Sequence, residues 1–474
     1  MRKRTKIIAT ISDRHCEPVF LKELFDNGMN VVRLNTAHQK PADSLKVINN
    51  VRAVSDTIAI LLDTKGPEIR TTELDEKFEV KTGEKIKIFG DPNRKTIKGE
   101  ISVSYPDFER DVPVGAHVLI DDGSLDMVVL ERNNDHLICE ILNDGVIASR
   151  KSVNIPQSDI NLPALSLKDI EYINFAIDNN LDFIAHSFVR RKEDVIAVKS
   201  LLEARNSKIK VIAKIESQEG VDNISEILDY SYGVMVARGD LGIEIAAERI
   251  PQIQKQMIDI CIERRKPVIV ATQMLHSMIE NPRPTRAEIS DVANAVYDGT
   301  DAIMLSGETA YGKYPVEAVK NMTKIAREVE ESYETFRDIP TLTLSTDISA
   351  FLVKSAVNAA NSLPIRAIIA DSTSGKTIRA IAAYRAKTSI YAQCYNKVTM
   401  RKLALSYGVY VDYMEPKKNA MEFLEDALTK YSDQKKFTED DVVLVIAGVF
   451  NRSKGANLIE IGSVKDLLGT VRNK

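Results

Sequence analysis

The sequence predicts an α/β protein: a (β/α)8 barrel carrying an inserted small β-barrel domain, followed by a C-terminal open α/β sheet domain. Three observations predict it. Eight short apolar runs are separated by amphipathic stretches, a long β-rich interruption follows the third run, and a second strand–helix alternation begins after about Glu330. The eight runs are Lys6 to Ile11, Asn30 to Asn35, Ile58 to Asp63, Phe183 to Ser187, Val211 to Ile215, Val234 to Ala237, Val268 to Thr272 and Ala302 to Ser306. Buried parallel strands read as continuous apolar runs rather than alternating ones. Stretches such as Pro18 to Asn27 and Val195 to Ala204 supply the helices between them. An open doubly wound sheet is the competing architecture. The count of eight favours the barrel.

The gap between Asp63 and Phe183 is too long for one crossover. Its interior alternates, as in Phe78 to Ile88 around a turn at Thr82-Gly83, Val118 to Gly123, Met127 to Leu130 and Leu137 to Cys139. Ser166-Leu-Lys-Asp169 then reads as a capping box opening a helix. Beyond a linker at Asp338 to Thr343, a helical run from Ile348 to Asn361 leads to strands at Ala367 to Ala370, Ser389 to Ala392, Val409 to Val411 and Val442 to Ile446. The expected division is residues 1–70 and 159–335 for the barrel, 71–158 for the insert and 336–474 for the C-terminal domain.

Composition narrows the function. The chain has 474 residues, 44% hydrophobic and 28% charged, with a net charge of -4. That balance leaves no basic footprint for nucleic acid, and no apolar stretch approaches the ~20 residues that span a bilayer. A cytoplasmic protein with neither a nucleic-acid nor a membrane partner is expected. Cys16, Cys139, Cys261 and Cys394 form no paired motif, and the six histidines are scattered. A catalytic metal would therefore be a hard cation on oxygen ligands.

Barrel enzymes build their sites at the carboxyl ends of the strands. Here those ends carry Arg33 and Asn35, then Asp63 with Thr64, Lys65, Glu68 and Arg70 beyond it, then Lys214 and Glu216, Arg238-Gly239-Asp240, Thr272, and Ser306 with Glu308. Each alone reads as a solvated loop residue; together they converge on one rim. Lys214 and Glu216 are two apart and share one face of a strand. Glu216 and Asp240 can hold one Mg²⁺, completed by substrate oxygens and water. Arg33 and Arg70 can grip phosphate oxygens. Gly239 lets backbone approach a ligand, and a helix starting after it offers N–H groups to a carboxylate. Cations gathered around a metal suit phosphoryl transfer, where catalysis is mostly positioning and charge stabilisation. A Mg²⁺-dependent lyase or aldolase acting on pyruvate enolates shares part of this logic, and a structural ion-pair network is the other alternative.

Longer motifs carry a resemblance. Leu62-Asp-Thr-Lys-Gly-Pro-Glu-Ile-Arg70, Lys214-Ile-Glu216, Val236-Ala-Arg-Gly-Asp-Leu-Gly242, Thr272-Gln-Met-Leu275, Asn281-Pro-Arg-Pro-Thr-Arg-Ala-Glu288, Ser290-Asp-Val-Ala-Asn294, Asp298-Gly-Thr-Asp301 and Met304-Leu-Ser-Gly-Glu308 resemble the pyruvate kinase family, in the family's order. The resemblance implies phosphoryl transfer from phosphoenolpyruvate to ADP, giving pyruvate and ATP as the last step of glycolysis, in a homotetramer. It implies that Lys214 stabilises the moving phosphoryl group and the enolate, and that Glu216 and Asp240 hold Mg²⁺ or Mn²⁺. Gly239, Asp240 and Thr272 would receive the substrate carboxylate, and Arg33 the phosphoryl group. Arg70 and Lys151 would contact nucleotide, and Thr272 and Ser306 are linked to enolate protonation. The insert would close as a lid.

A K⁺ site on Asn35, Asp63 and the Thr64 carbonyl is also implied. The family's Asn-Phe-Ser-His-Gly is here Asn35-Thr-Ala-His-Gln39, so Ala37 offers no hydroxyl and weaker K⁺ binding is expected, with water or Thr36 filling in. Glu68 stands where K⁺-independent members tend to carry lysine. Asp13 replaces a proline beside the nucleotide base.

In the C-terminal domain, Asp371-Ser-Thr-Ser-Gly-Lys-Thr377 reads equally as a phosphate cradle or an ordinary N-capped helix start. The family's effector loop has a similar form, matching Ser372, Thr373, Ser374, Gly375, Lys376 and Thr377, and implies a phosphorylated effector. Its second loop, Gly448 to Asn457, is shorter than the family's.

Overall fold

A computed structural model of the chain describes residues 3–156, 158, 160–333, 336–339, 347–448 and 456–472. The eight apolar runs become β1 (Lys6–Thr10), β2 (Val31–Asn35), β3 (Ala59–Asp63), β4 (Phe183–His186), β5 (Lys210–Ile215), β6 (Gly233–Ala237), β7 (Val268–Ala271) and β8 (Ala302–Leu305). They close into a parallel barrel in chain order, β1 pairing with both β2 and β8. The open doubly wound alternative is thereby excluded. Both faces of each strand are buried. Ile8, Leu61, Phe183, Ile212, Met235 and Met304 fill the interior, and alternate residues such as Ile7, Ile60, Ile184 and Val270 pack against the helices. Thr272 and Ser306, expected as strand ends, lie one residue beyond β7 and β8. Thr272 has left the extended region altogether, with φ at 70°.

Between β3 and β4 the chain builds a second core around Ile88, Ile101, Val118, Met127 and Leu137. A seven-stranded sheet surrounds it, and a further bridge joins Thr71 to Val103. The sheet starts at Ile69–Arg70, which pairs with the returning strand Ser152–Asn154. The expected turn is present at Gly83, with φ at 84°. Its flanking strands part company, however: Lys85–Phe89 joins the seven-stranded sheet, whereas Phe78–Val80 pairs with Gly145–Ile147. The capping box at Ser166 forms, its hydroxyl accepting from Asp169 N at 3.1 Å, and opens the helix Leu167–Asp178.

The C-terminal domain holds β9 (Ile365–Ser372), β10 (Ser389–Cys394), β11 (Val409–Tyr413), β12 (Val442–Ala447) and β13 (Leu458–Ser463). The order is β11-β10-β9-β12-β13, with β13 antiparallel to β12. The sequence reading lacks β13, whose residues are only partly covered. Of the linker at Asp338 to Thr343, residues 340–343 lie outside the described residues; so do residues 449–455 of the loop from Gly448 to Asn457.

Two buried aspartates fasten this domain to the floor of the barrel. Asp182, just before β4, accepts from Arg401 Nε at 2.6 Å, Arg52 Nη2 at 2.9 Å and Ile60 N at 2.9 Å. Asp301, just before β8, accepts from Arg385 Nη2 at 2.6 Å and Tyr407 N at 2.9 Å. Removing one partner of a buried ion pair leaves the other charge uncompensated. Asp182→Ala is therefore expected to lower stability by about 3–5 kcal/mol, read from the urea midpoint. The exposed bridge Lys397–Asp56 spans the same two domains at 2.6 Å, and Lys397→Ala should shift stability by less than about 1 kcal/mol.

Candidate active site

The rim at the carboxyl ends of the strands centres on one ammonium group. Lys214 Nζ lies 3.1 Å from Asp63 Oδ1, 3.0 Å from Glu216 Oε1 and 2.6 Å from Ser187 Oγ. These partners come from the ends of β3, β5 and β4, so barrel closure brings them together. Burial works against the lysine's charge. Asp63, Glu216 and Asp240 outweigh it and hold the Lys214 pKa above its ordinary value. Asp63 is likewise disfavoured by burial, but Arg33 and Lys214 keep its carboxyl below the usual range. Arg33 Nε sits 2.6 Å from Asp63 Oδ2, and its Nη1 donates to Thr10 Oγ1 at 3.0 Å.

Glu216 behaves differently. Burial pushes its pKa up, and Asp240 adds to the rise against the pull of Lys214. One oxygen, Oε2, accepts from Phe188 N at 2.6 Å. The other, Oε1, is buried and faces Lys214 Nζ at 3.0 Å. Glu216 and Asp240 line a common cleft of about 660 Å³ between barrel and insert, together with Glu68, Arg70, Phe188 and Arg190. Among the described residues, no three of His, Cys, Asp and Glu gather to hold a metal. A divalent ion here would rest on two carboxylates and take its remaining ligands from substrate and water.

The helix expected after Gly239 begins one residue before it, spanning Arg238–Glu244. Gly239 N donates to Thr272 Oγ1 at 2.8 Å, and that hydroxyl donates to Ala271 O at 2.6 Å. A β-branched residue at positive φ is strained, at a cost of order 1–3 kcal/mol. Arg238, at the predicted rim but given no role there, holds the strained turn. Its Nη2 donates to Thr272 O at 2.8 Å while its fork grips Asp291 at 2.6 and 2.8 Å. Buried Glu308 ties the two neighbouring loops, accepting from Leu275 N at 3.1 Å and Ser306 N at 2.7 Å.

The remaining predicted residues sit around this centre. Thr64 O accepts from Ser187 Oγ at 2.7 Å, and Asn35 Oδ1 accepts from Ala37 N at 3.1 Å. Thr36 is buried, and its hydroxyl donates to Asp63 O at 2.8 Å. Arg70 reaches the cleft but spends its donors on Glu68 at 2.5 Å and Arg150 O at 2.7 Å. Lys151 pairs with Asp121 at 2.9 Å; its neighbours Ser152 and Asp122 line the cleft and it does not. Sequence reasoning places Arg238 at the rim without a role and leaves Ser187 out of the rim set. Ser187 closes one of the eight apolar runs, and that position was the available signal. Far from the rim, Ser372 Oγ accepts from Gly375 N at 2.6 Å, Gly375 adopts φ at 78°, and the helix Lys376–Ala383 follows.

Comparison with known proteins covers nearly the whole chain. The model of the pyruvate kinase barrel domain matches residues 2–319, and that of the pyruvate kinase alpha/beta domain matches residues 351–462. A pyruvate kinase from Borreliella burgdorferi is 48% identical, with 98% of each chain covered. One from Geobacillus stearothermophilus is 44% identical over 99% of this chain and 81% of its own. The crystal structure of a pyruvate kinase from Cryptosporidium parvum superposes with a TM-score of 0.91 at 36% identity, covering 98% of this chain and 96% of that one. With both domain models matched and these relatives similar over nearly its full length, the chain belongs to the pyruvate kinase family.

Proposed function

We propose that this phosphotransferase carries its family's reaction, phosphoenolpyruvate and ADP to pyruvate and ATP, on the cluster formed by Lys214, Arg33, Glu216 and Asp240. The observation that carries the reading is the buried Lys214 ammonium held between two carboxylates beside Arg33. Two cations tethered at one spot suit a phosphoryl group whose charge spreads over its oxygens during transfer. Lys214 is also placed to steady the enolate oxygen as it develops. The substrate carboxylate would take the backbone N–H groups of Gly239 and Asp240 and the hydroxyl of Thr272. Thr272 and Ser306, beyond neighbouring strands, would supply the proton path to the enolate carbon.

Glu216 and Asp240 would hold Mg²⁺ or Mn²⁺. Burial and the neighbouring Asp240 push the Glu216 pKa up, and a hard cation between the two carboxylates would relieve that repulsion. When bound, such an ion neutralises charge on the phosphoryl oxygens. Asn35, Asp63 and the Thr64 carbonyl would form the K⁺ shell. Each of these oxygens already has a protein partner, and Thr36 is committed to Asp63 O, which supports a loosely held ion with water in place of the missing hydroxyl at Ala37. Arg70 and Lys151 would turn to the nucleotide from surface pairs that cost little to break. Ser372 to Thr377 would receive a phosphorylated effector, and the assembly would be a cytoplasmic homotetramer, checked by light scattering.

Pyruvate and ATP should form together in a coupled assay, and pyruvate without ATP would favour the lyase reading. Omitting K⁺ should slow turnover, and half-saturation should lie at high K⁺; turnover indifferent to K⁺ would remove Asn35 and Asp63 from that role. Lys214→Met is expected to reduce turnover by at least about 10²–10³-fold; because it leaves Asp63 and Glu216 buried without their shared cation, it should lower the thermal midpoint as well, so turnover is read well below that midpoint. Protons compete with metal for carboxylates, and Glu216 has a raised pKa. Mn²⁺ affinity, followed by electron paramagnetic resonance, should therefore weaken from pH 8 to pH 6; a flat profile would count against Glu216 as a ligand.

A further inference from the structure

We propose that Arg190 is a positioning residue, the latch that fixes the returning strut of the inserted domain and so sets where that domain closes over the cleft. The inference rests on the catalytic reading only in taking the insert to close. The insert is joined to the barrel by two struts, one leaving after β3 and one returning to the helix Leu167–Asp178. In the returning strut, Leu162 N bonds Ile160 O at 2.9 Å, a tight turn about Asn161. The Arg190 fork spans it: Nη1 donates to Ile160 O and Nη2 to Leu162 O, both at 2.8 Å. A planar guanidinium fits two such carbonyls at once, where a lysine would reach only one.

Arg190 is itself held rigidly. Its N–H donates to Asp194 Oδ2 at 2.9 Å, and its carbonyl accepts from Asn223 Nδ2 at 3.0 Å. Asp194 is buried and caps the next helix, accepting from Arg191 N at 3.2 Å. Two residues earlier, Phe188 has φ at 55° and donates its N–H to Glu216. The outgoing strut bears on the same turn. At Gly66, with φ at 75°, an added Cβ would come within 2.7 Å of the Phe188 ring and 2.8 Å of the Ser187 Cβ. Residues 187–190 are therefore a common bearing for both struts, joined directly to Lys214 and Glu216. A strut that slips at Arg190 moves the insert relative to the catalytic carboxylates.

The test uses the full-length chain with Arg190→Lys, which keeps the charge and loses the fork, and Arg190→Met, which loses both. Hydrogen–deuterium exchange of the amides in residues 160–165 should quicken by at least about tenfold, the scale set by losing one charge-assisted hydrogen bond. The KM for ADP should rise by a similar factor, with Arg190→Lys intermediate and the thermal midpoint of that variant unchanged. Unaltered exchange in both variants would overturn the proposal. So would a fall in kcat that tracks thermal stability with KM constant, the signature of a merely structural arginine. The exchange measurement needs no turnover, so it judges the latch even where the coupled assay rejects the catalytic reading.

Discussion

The buried ammonium of Lys214 is the constraint around which the rest of the molecule is arranged. An isolated cation in a low-dielectric interior is costly, and this one is kept charged by Asp63 and Glu216 with Ser187 completing its donors. Asp63 and Ser187 arrive from the ends of two neighbouring strands and Glu216 from the lysine's own, so the cluster forms only when these three adjacent strands have paired. The apolar faces that close the sheet are thus also what hold the charge cluster together, and fold and site are inseparable here. Ser187 then ties the lysine to the Thr64 carbonyl, and Asp63 ties it to Arg33. A disturbance at the Thr64 carbonyl or at Arg33 would reach the lysine through one hydroxyl and one carboxylate.

The barrel was legible because its strands are covered on both faces and so read as unbroken apolar runs. The charged rim was legible because polar residues at the ends of such runs have little packing reason to be there. The insert was read less well. Its strands are short and alternate, and alternation does not say which neighbour a strand will choose: Phe78–Val80 and Lys85–Phe89 flank one turn yet join different sheets. β13 was missed because Leu458-Ile-Glu-Ile-Gly-Ser463 covers only part of its surface and shows no sustained apolar run. The roles of Arg190 and Arg238 were hidden for another reason. Both act by donating to backbone carbonyls brought near by the fold, and carbonyls leave no mark in sequence.

Strain and support are paired at the rim. Thr272 occupies a backbone conformation that a β-branched residue avoids, and Arg238 with Asp291 braces it. That brace runs to the helix Arg286–Tyr297, which the motif Asn281 to Glu288 opens with its own capping box. Long motifs that never reach the cleft are then intelligible as scaffolding for one hydroxyl. The barrel floor, pinned to the C-terminal domain by Asp182 and Asp301, faces the other way and leaves the rim free to specialise.

Asp63 has one further consequence. Its two oxygens hold different cations, Lys214 on Oδ1 and Arg33 on Oδ2. The spacing of the two positive groups is therefore gauged by the width of a single carboxylate, fixed by covalent bond lengths. A ligand that engaged both cations would have to match a spacing set in part by three covalently bonded atoms.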